Sequence, residues 1–221
     1  LKNTARNHNC QFLFETNVGA GLPIIGTIND LIRSGDKITS IQAVLSGTLN
    51  FVFNNYDGSR TFSEIVAQAQ KEGYTEPDPR LDLAGTDVAR KIIILAREAG
   101  YPIEFTSVEN ESFLPEECMK GSVNDFYDAL SKYEDHFRNL LEEAKNKGKI
   151  LKYVAEFKEG KAKVGLKHIA PESDLFHLYG KDNIVIFKTL RYYEQPLVVK
   201  GAGAGAEVTA SGVFADILRS V

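Results

Sequence analysis

The change of periodicity near residue 150 constrains the fold more than any other feature of this chain. Up to Lys147 apolar residues recur mainly at helical spacing; beyond it they fall into short β-branched and aromatic runs bounded by turn residues. Residues 151–157 and 162–169 flank Lys158-Glu159-Gly160-Lys161, a hairpin signal, and residues 183–190 with 195–200 form a second antiparallel pair. Residues 37–45, rich in β-branched side chains, and residues 11–15 add two earlier strands. Helices and strands are thus partly segregated. The expected fold is α+β, a mostly antiparallel or mixed sheet with helices packed on one face.

The helices carry local start and stop signals. Pro23 suits a first turn, Ile24, Ile28, Leu31 and Ile32 follow at helical spacing, and Gly35 ends the run. Ser46-Gly47-Thr48 leads a strand into a helix through Phe51, Val52 and Tyr56. Such a turn offers free N–H groups and a hydroxyl to a carboxylate or phosphate, and it serves ordinary capping equally well. Thr61 and Glu64 form a capping box for a helix reaching Ala69 and ending near Gly73. Residues 108–121 read as acidic and irregular. Residues 123–147 read as one long helical region with Phe126, Leu130, Tyr133, Phe137, Leu140, Leu141 and Ala144 as its core stripe.

Between these helices, residues 73–91 concentrate chemistry. Pro77 and Pro79 stiffen the loop that carries Glu76 and Asp78, and from Asp82 onward the chain can be helical, stopping at Gly100. Asp87 and Lys91 lie four apart on one helix face, while Val88, Ile92, Leu95 and Ala99 form the apolar stripe. The spacing alone is that of a surface ion pair worth at most about 0.5 kcal/mol. The adjacent stiffened acidic loop adds carboxylates near the ammonium, an arrangement suited to a polar substrate bearing a positive group, with a lysine available for proton transfer.

This segment resembles the signature of homoserine dehydrogenases, from Ala69 through Gly73, Asp78-Pro79, Asp82, Gly85 and Asp87 to Lys91. Three further stretches agree: Glu15-Thr16-Asn17-Val18-Gly19-Ala20-Gly21-Leu22-Pro23, Leu45-Ser46-Gly47-Thr48-Leu49-Asn50, and residues 201–216, Gly201-Ala202-Gly203-Ala204-Gly205-Ala206 onward. The first and last most resemble the dehydrogenase half of bifunctional aspartokinase/homoserine dehydrogenase. The resemblance implies NADP- or NAD-dependent interconversion of L-aspartate 4-semialdehyde and L-homoserine, in threonine and methionine biosynthesis. By the same resemblance Lys91 and Asp87 are catalytic. Glu76, Asp82, Tyr74, Gly47 and Thr48 bind substrate, Gly203, Gly205 and Ala206 contact the cofactor, and Glu15, Val18, Ala20 and Leu22 hold sodium or potassium, largely through main-chain carbonyls.

The glycine run from Gly201 to Gly205 follows a strand and opens a helix, as a phosphate-cradling loop does. Too little chain follows it to complete a dinucleotide-binding βαβ unit. Residues 1–200 are therefore expected to be a catalytic and dimerisation domain lacking its own Rossmann fold. Residues 201–221 should form a cofactor-contacting loop and a helix that packs on a nucleotide-binding domain lying elsewhere. The start, which reads as the tail of a helix without an initiator Met, suggests a piece of a longer polypeptide, with that domain and an aspartokinase before it. A homo-oligomer is expected. The alternative is a non-catalytic dimerisation and amino-acid-binding module. A net charge of -4 with no basic aromatic stripe argues against nucleic acid, no apolar run suits a membrane span, and the unpaired spacing of Cys10 and Cys118 suits the cytoplasm. His8, His136, His168 and His177 show no metal-ligand spacing.

Overall fold

The computed structural model describes residues 1–180 and 182–220. In chain order its elements are α1 (Lys2–Asn7), α2 (Ile24–Arg33), β1 (Ile38–Val44), α3 (Gly47–Asn55), α4 (Phe62–Lys71), α5 (Arg80–Leu83) and α6 (Thr86–Glu98). Then come β2 (Glu109–Glu111), α7 (Val123–Lys132), α8 (Glu134–Asn146), β3 (Ile150–Lys158), β4 (Lys161–Ile169), β5 (Asp182–Thr189), β6 (Leu197–Ala202) and α9 (Ala206–Arg219). The strands form one sheet in the order β2-β4-β3-β1-β5-β6. All neighbours pair antiparallel except β2 and β4, so the sheet is mixed, as expected.

The helices cover one face. Ile41, Ala43, Phe157, Val185 and Phe187 join helix residues such as Ile28, Leu49, Phe62, Ile92 and Phe137 in the main core, where Phe62 and Phe137 stack at 4.1 Å. On the opposite face Val44, Val154, Ile184 and Ile186 pack with Leu175 and Leu178 from the segment after β4. Alternation of side chains along β1, β3, β4 and β5 feeds both cores.

Four expectations need correction. Residues 11–14 form no strand and Glu15–Asn17 is a 3-10 turn; Phe14 packs under the Lys2 ammonium and against Phe12 instead of entering the sheet. The helix expected from Asp82 is two, α5 and α6, parted at Gly85, whose φ is +69°. Residues 109–111, read as irregular, form β2, an exposed polar edge held to β4 by backbone pairing and by Glu111–Lys163 at 2.6 Å. The helical region 123–147 breaks at Tyr133, which redirects Glu134: its carboxylate accepts from Tyr56 Oη at 2.9 Å and from the Phe62 N–H at 2.8 Å. That carboxylate satisfies an otherwise unpaired first-turn donor of α4.

Gly85 is required twice over. Its backbone is left-handed, and a Cβ there would lie 1.9 Å from the hydroxyl of Tyr153, a buried ring whose Oη donates to Asn110 at 2.9 Å. Gly85→Ala is expected to cost at least about 2 kcal/mol, from strain plus displacement of Tyr153. Chemical denaturation of parent and variant measures it, and equal midpoints would contradict this account.

Candidate active site

The site is built around the N-terminus of α3. Ser46 caps that helix, its Oγ accepting from Leu49 N–H at 3.1 Å, which fixes the turn in which Gly47 and Thr48 begin the helix. The Thr48 hydroxyl donates to the Tyr74 carbonyl and lies 3.4 Å from Asp82 Oδ1. Asp82 Oδ2 accepts from the Glu76 N–H at 2.8 Å, so one carboxylate ties the acidic loop to α5. The Tyr74 ring packs on Phe51 of α3 at 4.7 Å between centroids. Burial raises the Asp82 pKa above the usual carboxylate range, and the charges of Glu76 and Asp87 add to the rise against the hydrogen bonds from Glu76 and Thr48.

Lys91 approaches from α6. Its Nζ donates to the Leu45 carbonyl at 2.9 Å, immediately before the Ser46 cap, and pairs with Asp87 at 2.7 Å. An ammonium has three N–H donors, so one remains after these two. The structure therefore brings Thr48, Tyr74, Glu76, Asp82, Asp87 and Lys91 around one corner of the sheet. Asp78, in the same acidic stretch, is engaged elsewhere. It holds Arg80 bidentately, at 2.8 Å and 2.7 Å, and these bonds lower its pKa, while Arg80 reaches on to the Gly121 carbonyl.

The turn at residues 15–22 and the glycine run form a second cluster. A Cβ on Gly21 would meet the Val208 carbonyl at 2.3 Å, and one on Gly212 would lie 3.0 Å from Gly21 Cα, so α9 lies directly on the turn. Gly201 and Ala202 complete β6, leaving Gly203, Ala204 and Gly205 as the loop that leads into Ala206. Since β1, β5 and β6 are successive strands, this loop sits two strand spacings, about 10 Å, from the end of β1 that carries Leu45.

The Glu15 carboxylate is buried and used: it accepts from Ile25 N–H at 2.6 Å and Gly26 N–H at 2.8 Å, and Arg219 lies 3.2 Å away. It acts as a remote cap for α2, whose own first residues offer no side-chain cap. With that carboxylate engaged, the main-chain oxygens of the turn are the ones to weigh as ligands for a cation. Among the described residues the carbonyls of Val18 and Ala20 accept no hydrogen bond, which fits oxygen ligation of a hard cation, whereas that of Leu22 accepts from Ile24 N–H at 2.8 Å. No cluster of three or more His, Cys, Asp or Glu able to hold a metal occurs among the described residues.

Three features escape sequence reasoning. Asp216 accepts the Glu15 N–H at 2.8 Å and Arg219 at 3.0 Å, locking α9 to the turn. Lys152 is wholly buried in β3, donating to Asn50 Oδ1 at 2.8 Å, Asn54 Oδ1 at 2.5 Å and the Leu178 carbonyl at 2.6 Å. Asn183 is buried, and among the described residues neither of its side-chain polar atoms has a hydrogen-bond partner. A lone lysine inside an apolar strand run was the only one of these with a visible signal.

The homoserine dehydrogenase family model matches residues 23–218. The chain is 46% identical to bifunctional aspartokinase/homoserine dehydrogenase 1 of Zea mays, covering 99% of this chain and 24% of that protein. It is 43% identical to a homoserine dehydrogenase of Paracoccidioides brasiliensis, covering 98% and 62%. Against the first of these it spans about a quarter of the relative's length. Among solved structures, a Candida auris protein of unknown function superposes with a TM-score of 0.88 at 41% identity, covering 93% of this chain and 59% of that one. A hyperthermophilic archaeal homoserine dehydrogenase in complex with NADPH gives 0.73 at 27%, covering 99% and 58%. With matching sequence, matching sheet and the signature residues gathered at one corner, the chain belongs to the homoserine dehydrogenase family.

Proposed function

We propose that this chain is the substrate-binding and catalytic portion of a homoserine dehydrogenase, interconverting L-aspartate 4-semialdehyde and L-homoserine with NADPH or NADH. The observation that carries the reading is Lys91, anchored by Leu45 and Asp87 with one N–H left beside a carboxylate cluster. When bound, the nicotinamide supplies or accepts the hydride. Lys91 gives its remaining proton to the aldehyde oxygen as the alcohol forms and takes it back in the reverse direction. Asp87 keeps the ammonium oriented. Glu76 and Asp82 face the substrate ammonium, and Gly47, Thr48 and Tyr74 shape the pocket around it. Gly203, Gly205 and Ala206 are assigned to the cofactor side, where backbone N–H groups at the start of α9 suit an anionic or polar group.

The carbonyls of Glu15, Val18, Ala20 and Leu22 are assigned to a sodium or potassium ion. Residues 1–200 are read as the catalytic and oligomerisation unit and 201–221 as the part that meets a nucleotide-binding domain. Support for the latter comes from α9, where Val213, Phe214, Ile217 and Leu218 are between 47% and 62% exposed although one side of the helix is packed. A place in threonine and methionine biosynthesis, an attached aspartokinase and a homo-oligomer belong to the same reading. No helix among the described residues is long and apolar enough to cross a membrane, and the free thiols of Cys10 and Cys118 suit a reducing compartment such as the cytoplasm.

Isothermal titration of L-homoserine, with Glu76→Ala beside the parent, tests the substrate site. The expected result is heat from the parent and at least about tenfold weaker binding in the variant, the scale of one lost charge-assisted contact. Equal affinities would remove Glu76 from the substrate site.

A further inference from the structure

Asn183 has no role in the site described above, yet it occupies a position between that site's two halves. It begins the buried part of β5 and pairs with Gly201 of β6. On its other side β5 pairs with β1 up to Val44 opposite Ile184, so the next step of the ladder sets Asn183 beside Leu45, whose carbonyl anchors Lys91. Its side chain lies on the helix-covered face with those of Val185 and Phe187.

The amide is 1% exposed, and neither Nδ2 nor Oδ1 has a hydrogen-bond partner among the described residues. Buried amides in folded proteins are almost always paired, because an unpaired one forfeits its hydration without compensation. Directly over it lies Gly203: a Cβ there would fall 2.0 Å from Asn183 Cγ and 2.2 Å from Nδ2. Glycine is thus needed at 203 for the loop to rest on the amide. The loop ends at Gly205, whose φ of +124° is a conformation that glycine adopts readily.

We propose that Asn183 is a cofactor-binding residue held under the glycine loop, and that its amide pairs with the carboxamide of the nicotinamide when the loop lifts to admit the ring. The inference rests on the dehydrogenase reading. An orphaned donor and an orphaned acceptor on one planar group are matched by a ligand group with one acceptor and one donor in the same plane, which is what a primary carboxamide offers. The position suits it, since the reacting end of the cofactor must reach the space beside Lys91, one strand away. A phosphate, with acceptors only, would satisfy Nδ2 and leave Oδ1 unpaired.

The test uses the full-length protein with NADP and with its 3-acetylpyridine analogue, in which a methyl group replaces the amide NH2. The parent is expected to prefer NADP over the analogue in kcat/KM by about tenfold more than Asn183→Ala does, one hydrogen bond's share of discrimination. Asn183→Leu, which replaces the orphaned amide by an apolar group of similar size, should lose the same discrimination while melting no lower than the parent. Unchanged discrimination in both variants of an active enzyme would overturn the role of Asn183 and leave the dehydrogenase reading standing. A parent that shows no homoserine-dependent reduction of NADP or of NAD would overturn both.

Discussion

Lys91→Ala in the full-length protein is expected to lower kcat for homoserine oxidation at least about 100-fold while KM moves by less than about threefold. In the proposed mechanism the ammonium touches the oxygen whose charge changes as hydride moves, so its interaction would grow between ground state and transition state. In the same proposal substrate affinity rests on Glu76, Asp82 and the α3 turn, which the substitution leaves in place. The Leu45 carbonyl loses a partner, but Lys91 is partly exposed, so water can replace it and the fold should survive. Asp87→Asn is expected to be milder, because the Leu45 carbonyl still fixes one direction of the ammonium. Steady-state kinetics with unchanged thermal unfolding decides the matter. A kcat near that of the parent would exclude Lys91 from proton transfer.

What was legible in the sequence was legible because it is local. The capping box of Thr61 and Glu64 and the cap at Ser46 each involve neighbours within three residues, and both appear where their spacing places them. The hairpin of β3 and β4 turns at Glu159 and Gly160, both with positive φ, as the Glu-Gly pair indicates. Asp87 and Lys91 were readable as a pair. That they are more than a surface ion pair depends on Leu45, 46 residues earlier, which no spacing argument reaches. The same holds for β2, three polar residues without apolar alternation whose partner lies in β4, and for the break at Tyr133, set by where Glu134 must reach. Asn183 looked like an ordinary first residue of a strand. Only the packing of Gly203 on its amide gives it meaning.

Lys152→Met should give the largest loss of stability, about 3 kcal/mol, or roughly 10 °C in melting temperature for a chain of this size. Methionine fills much the same volume, so the loss comes from three acceptors rather than from a cavity. Asn50 Oδ1, Asn54 Oδ1 and the Leu178 carbonyl all converge on Nζ, and Asn50 and Asn54 in turn donate to the Gly180 carbonyl. The network ties α3, and with it the Thr48 corner, to the segment ahead of β5. Burial, with a smaller push from Lys200, pulls the Lys152 pKa down to about 8, while an unfolded lysine titrates near 10.4. Between those values the folded protein binds fewer protons than the unfolded chain, so this group's contribution to stability rises with pH. The stability gap between parent and Lys152→Met should therefore widen from pH 8 towards pH 10. Denaturant titrations of both proteins across that range measure it, and a gap that stayed flat would show that the buried ammonium keeps an ordinary affinity for its proton.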